Sequence, residues 1–216
     1  MIMENRNKAT RMQVSTFGIL AGLAGLEHGI GEITQGNTAP GAFIFKSWGE
    51  SELFRIVNGE PAMSIIPNLL ASGIVTVIVS AVFLVWAAMF VHRKRGGLVM
   101  ILISAVLLLV GGGFGPPLLG IIFGAVGTRI HAPLSWWRAR VSSGMRRFLS
   151  KAWPWIYGAC VAAWLAMFPG TLILGRIIGA DNPAIMLSFI SAAFGLLPFM
   201  IITGFAYDAH KRVPGD

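Results

Sequence analysis

From Pro67 to Val91 the chain carries no charged side chain, and the run ends at His92-Arg93-Lys94-Arg95. A helix needs about 20 predominantly apolar residues to cross a bilayer, and a basic stop of this kind marks a cytoplasmic end. Comparable apolar runs recur along the chain, so most of its surface is expected to meet lipid. Only 12% of the 216 residues are charged and 55% are hydrophobic, too little charge for the surface of a water-soluble domain. The expected class is all-α, a polytopic transmembrane helix bundle in which residues 1–216 form a single integral membrane domain. Spans are expected at about 12–34, 68–91, 98–112, 117–130, 154–175 and 184–207.

Residues 98–130 admit two arrangements, because Gly111-Gly112-Gly113-Phe114-Gly115-Pro116-Pro117 breaks the run in its middle. A hairpin, either two short spans or a re-entrant pair, returns the next basic cluster to the cytoplasm. The fold is therefore six spans, or four plus a re-entrant hairpin at 98–130. Irregular backbone at membrane depth survives only where protein or water covers it.

Sidedness follows from the cations. Fourteen of the 17 Lys and Arg fall in segments assigned to the cytoplasm, leaving Lys46, Arg55 and Arg176 outside. Both termini are then cytoplasmic, and the expected location is a prokaryotic plasma membrane, crossed several times. Positive-inside clustering accounts for the net charge of +8 without nucleic acid as a partner. A signal peptide is the rival for the N-terminus. Glu27, His28 and Glu32 stand where a small-residue cleavage motif would begin, so the stretch is read as a retained first span.

Residues 35–66 form the longest stretch between spans. Ser51 to Val57 has the look of a short surface helix, stopped by Asn58-Gly59. Residues 131–153 are basic and aromatic. Read as one helix, they put Leu134, Trp137, Val141, Met145 and Phe148 on one face, with Arg140, Arg146, Arg147 and Lys151 opposite. That is an interfacial helix for an anionic inner leaflet, or a contact for a partner protein.

The first span holds the polar groups that demand a reason. An ionisable side chain at mid-bilayer costs about 2.5–3.5 kcal/mol on insertion scales, and Glu27, His28 and Glu32 lie within six residues. His28 and Glu32 are one helical turn apart and are expected to pair. Gly18, Gly22, Gly25 and Gly29 share a face that reads as a packing seam. Asn68, Ser72 and Asp181 are predicted at similar depth, so the candidate binding residues are Glu27, His28, Glu32, Asn68, Ser72 and Asp181. Thr76, Ser80, Thr171 and Ser188 would continue a polar path. For Ser72, Thr76 and Ser80 the plainer alternative is interhelical hydrogen bonding.

Known chemistries find little support. The single cysteine, Cys160, rules out an intrachain disulfide, and no Cys-x-x-Cys, His-Glu-x-x-His, Walker or Gly-x-Ser-x-Gly motif occurs. No cofactor is expected, and whether a metal binds stays open. The leading expectation is a small transport or channel-type protein that binds a cation, proton or small polar solute in an outer-half cavity. The alternative is a non-catalytic accessory subunit of a larger membrane complex, or a homo-oligomer, using the glycine face and the basic helix as contacts. A membrane-embedded hydrolase or transferase is the third and weakest expectation.

Overall fold

The computed structural model describes residues 7–49, 51, 54, 58–170, 173 and 183–211. The protein is mostly helical. In chain order the elements are α1 (Lys8–Thr34), β1 (Ile44–Lys46), β2 (Pro61–Met63), α2 (Leu69–Val85), α3 (Gly96–Leu109), α4 (Gly115–Gly127), α5 (Ser135–Arg140), α6 (Ser143–Leu165) and α7 (Pro183–Lys211). A π-type turn extends α2 over Trp86–Phe90, and another follows α6 over Ala166–Gly170.

Among the described residues, two helices are long and apolar enough to cross a membrane, Leu69–Phe90 and Leu187–Lys211. α3 and α4, at 14 and 13 residues, are only about 20 Å long, short of the roughly 30 Å of hydrocarbon. α1 has the length, with 27 residues, but its acids, histidine and glycines lower its apolarity.

The chain divides into two compact units, one of residues 14–128 and one of residues 1–13 with 129–216. In the first, the α2 face turned inward carries Ser72, Gly73, Thr76, Ser80 and Phe83. Its outward face carries Ile74, Ile78, Val82 and Met89. Hydroxyls point in and branched aliphatics point out, the reverse of a helix on a water-soluble protein. α3 repeats the pattern, with Ser104 buried and Leu98, Leu102 and Val106 exposed.

Glycines set the helix spacing. A Cβ on Gly22 would fall 2.8 Å from Leu84 Cβ, and one on Gly29 would fall 2.9 Å from Gly73 O, so the α1 glycine face is filled by α2 of the same chain. A Cβ on Gly97 would lie 2.3 Å from Gly124 O, which keeps α3 and α4 in backbone contact. Phe17 of α1 stacks on Phe123 of α4 with ring centroids 4.7 Å apart.

In the second unit α6 packs along α7. Trp164 Nε1 donates to Ala193 O at 3.0 Å, and Trp153 lies against Tyr207 with centroids 4.8 Å apart. The Asp208 carboxylate, buried near the end of α7, accepts from the backbone N–H groups of Ala9 and Thr10, both at 2.9 Å, and from Thr10 Oγ1 at 2.7 Å. An anion thus holds the orphan donors at the start of α1.

Two expectations need correcting, and a third falls largely on residues that are not described. The chain is not wholly α, because β1 and β2 form an antiparallel hairpin with Phe45 opposite Ala62. The expected surface helix at 51–57 lies largely outside the described residues. The basic stretch 131–153 is not one helix: Leu134 is left-handed at φ 51°, and Val141 is extended at φ −105° and ψ 125°, separating α5 from α6. α6, expected as a span from about residue 154, therefore begins at Ser143, capped by Ser142 Oγ accepting from Met145 N, and Pro154 lies inside it.

Candidate functional site

The β-hairpin is seated on the last turns of α1. Gly31 permits the approach, since a Cβ there would fall 2.6 Å from Ser47 O and 2.8 Å from the Trp48 ring. Gln35 Nε2 fastens the strand end by donating to Ser47 O at 2.7 Å and Lys46 O at 3.0 Å. Past the paired strands, Ser47 N donates to Glu60 O and Trp48 N to Gly59 O, each at 3.0 Å. This register delivers Ser47, Trp48 and Glu60 together onto α1.

There they meet Glu27 and His28. The Trp48 indole Nε1 donates to Glu27 Oε1. Trp48 itself is stacked on Phe54, with centroids 4.1 Å apart. His28 is buried; its Nδ1 lies 2.8 Å from Ser47 Oγ and its Nε2 lies 3.2 Å from Glu60 Oε2. That oxygen has no hydrogen bond of good geometry, so the imidazole contact is a close approach rather than an aligned bond. Glu27 and Glu60 are themselves in hydrogen-bonding reach. One donor atom from each of Glu27, His28 and Glu60 can be chosen so that all lie within 4.8 Å of one another.

The turn between α3 and α4 closes the site from the other side. Gly111 stands at φ 115° and Gly113 at φ 70°, conformations that side chains rarely adopt. Both also lie where a side chain would collide. A Cβ on Gly113 would sit 2.3 Å from His28 Nε2, and one on Gly111 would sit 2.3 Å from Glu32 Oε1. Glu32 is fully buried, and neither carboxylate oxygen has a hydrogen bond of acceptable geometry. Ser72 is a polar neighbour. The hydroxyl of Ser72 is engaged elsewhere, 2.8 Å from both Val110 O and Ser64 Oγ. His28 and Glu32 share a face and a glycine turn, but His28 turns to Ser47 and Glu60, so the expected His28–Glu32 pair is not formed.

The other candidates are placed as follows. Asn68 caps α2, its Oδ1 accepting from Ala71 N at 2.9 Å, while its Nδ2 donates to Asn37 Oδ1 at 2.6 Å, so both polar groups of its side chain are engaged away from Glu27 and His28. Ser72 and Thr76 both reach Val110 O, the carbonyl left without a partner where α3 ends. Ser80 is buried against Gly25, its hydroxyl without a partner. Ser188 is exposed and donates to Ala184 O in its own helix. Thr171 and Asp181 lie outside the described residues. Arg146 folds back to donate to Arg138 O at 2.7 Å and Val141 O at 3.0 Å, closing the corner between α5 and α6. Arg140, Arg147 and Lys151 are exposed.

Glu60, Ser47 and Trp48 are the functional candidates that sequence reasoning missed. They sit in a loop with no periodicity, and only the hairpin register brings them to α1. The acidity of residues 35–66 was the one available signal. The chain matches no protein family, no curated protein and no solved structure.

Proposed function

We propose that this chain is a small multi-pass membrane protein of transport or channel type that binds a cation, proton or small polar solute at Glu27, His28 and Glu32. The observation that carries this reading is orientation. Glu27, His28 and Glu32 of α1 are turned onto a polar hairpin and a glycine turn, while the same unit presents Ile, Val, Leu and Met outward. Groups this costly to bury are kept where a polar ligand or ion offsets the cost.

In the proposed topology α1, α2, α6 and α7 cross the membrane. The short α3–α4 pair is a re-entrant hairpin, and both termini lie in the cytoplasm. α1 then enters from the inside, and the site falls in the outer half of the protein beneath the β-hairpin. The membrane is taken to be the plasma membrane, with the exposed cations Arg140, Arg147 and Lys151 toward its anionic inner leaflet. The accessory-subunit alternative retains that basic corner as its contact, although its other proposed contact, the glycine face, is already occupied by α2.

The test is flux in proteoliposomes, reading protons and mono- and divalent cations with entrapped dyes, for wild type and Glu27→Gln. Wild-type flux reduced at least tenfold by the substitution is expected. Flux that is absent, or indifferent to Glu27→Gln, removes the transport reading.

A further inference from the structure

We infer that Glu27, His28 and Glu60 form a binding site for a divalent transition-metal ion, with Ser47 as the positioning residue for the imidazole. The inference deepens the reading above, since it names the class of ion that the site of α1 would take.

The geometry supports it at three points. First, the donor set of one imidazole and two carboxylates suits Zn2+, Mn2+ or Fe2+. Second, the separations fit. Two atoms about 2.0–2.1 Å from a tetrahedral ion lie about 3.3 Å apart. His28 Nε2 and Glu60 Oε2 are 3.2 Å apart. The third donor, from Glu27, lies within 4.8 Å of the others. Bringing it onto the same shell takes a shift of roughly 1.5 Å, within the reach of side-chain rotation. Third, the outer contacts are those of a metal site. Ser47 Oγ on Nδ1 orients the ring, and with Nδ1–H donating to it the Nε2 lone pair faces Glu60. Trp48 Nε1 donates to Glu27 Oε1 and so fixes that carboxylate beside the imidazole.

Two further observations favour a cation-binding cluster over a self-satisfied polar one. Glu60 Oε2 is buried without an aligned donor, although it faces an imidazole nitrogen. One helical turn from His28, Glu32 is fully buried with both oxygens lacking an aligned donor, against the same Gly111–Gly113 turn that covers the His28 ring. Buried carboxylates are normally paired with a cation or well hydrogen-bonded. A divalent ion at His28 supplies positive charge to Glu27 and Glu60, which gather at one imidazole.

The experiment uses the full chain in detergent, stripped of metal and titrated with Co2+, whose visible bands report a tetrahedral N/O site, followed by displacement with Zn2+. Wild type is expected to bind one equivalent. Glu60→Gln should weaken Co2+ binding at least 100-fold. Ser47→Ala, a small change that leaves every ligand in place, should weaken it about 10–100-fold. Thermal unfolding with and without Zn2+ checks that each variant folds, and the Zn2+-induced rise in Tm should shrink in the same order. No Co2+ bands in folded wild type, or affinities in both folded variants equal to wild type, overturns the inference. The liposome assay separates the two readings. Flux in a protein that binds neither metal removes the metal site and leaves transport. Tight metal binding without flux removes transport and leaves the site.

Discussion

Gly113 shows how much of the site rests on one residue. Its φ of 70° excludes most side chains on conformational grounds, and the His28 ring occupies the space a methyl group would need. Gly36 separates the two effects. It has φ 76° but nothing within 4 Å of where its Cβ would be. Gly36→Ala should therefore cost only the left-handed penalty, about 1–2 kcal/mol. Gly113→Ala should cost more, because the imidazole must move as well, and should also weaken whatever His28 binds. Thermal unfolding of the two variants in detergent measures the difference. Equal losses would mean that the turn does not press on His28. At this scale the sequence was partly legible. Glu27, His28 and Glu32 stand out because ionisable groups in an apolar run are costly, and the structure turns all three toward protein. Glu60 was not legible, since one more acid in a loop carries no local mark of what it will face.

At the scale of elements, the polar stripe of α2 illustrates a role that spacing reveals only in part. Ser72, Thr76 and Ser80 recur every four residues, which places them on one buried face. The spacing does not say that two of them meet a single acceptor, Val110 O, at the end of α3. Since either hydroxyl can satisfy that carbonyl, Ser72→Ala or Thr76→Val alone should cost about 0.6 kcal/mol, the average for an interhelical hydrogen bond in a membrane protein. The double substitution should cost about 1–3 kcal/mol more than their sum, because it leaves a buried carbonyl with no donor. Additive losses in unfolding measurements would show that the carbonyl has another partner. Asp208 makes a similar test at the start of α1. It accepts from two backbone donors and a threonine hydroxyl, and Asp208→Ala should cost about 1–2 kcal/mol. The basic stretch 131–153 shows the limit of periodicity. Its apolar positions keep helical spacing, but a left-handed Leu134 and an extended Val141 interrupt the helix, and neither residue type announces that conformation.

For the whole molecule, helix class and the positions of the apolar runs were legible because long uncharged runs stand out in composition alone. How many runs cross was not, because length decides that and helix ends are poorly marked in sequence. α3 and α4 begin and end close to the expected limits, yet each is roughly 10 Å short of the hydrocarbon thickness. The proposed re-entrant hairpin makes a prediction that two other arrangements fail. With Cys160→Ala as background, single cysteines at Arg95 and Thr128 should both react with an impermeant maleimide only from the cytoplasmic side, since both flank the hairpin's open end. A cysteine at Phe114, in the turn, should stay unreactive from the cytoplasm. Opposite sidedness of Arg95 and Thr128 would mean a single crossing and would move the cations of residues 129–151 to the outside. If Arg95 and Thr128 label from the cytoplasm and Phe114 labels freely from outside, the hairpin crosses fully. The glycine turn then lies at the outer surface, and the carboxylates it covers sit in the headgroup region, where burial demands far less of a compensating cation.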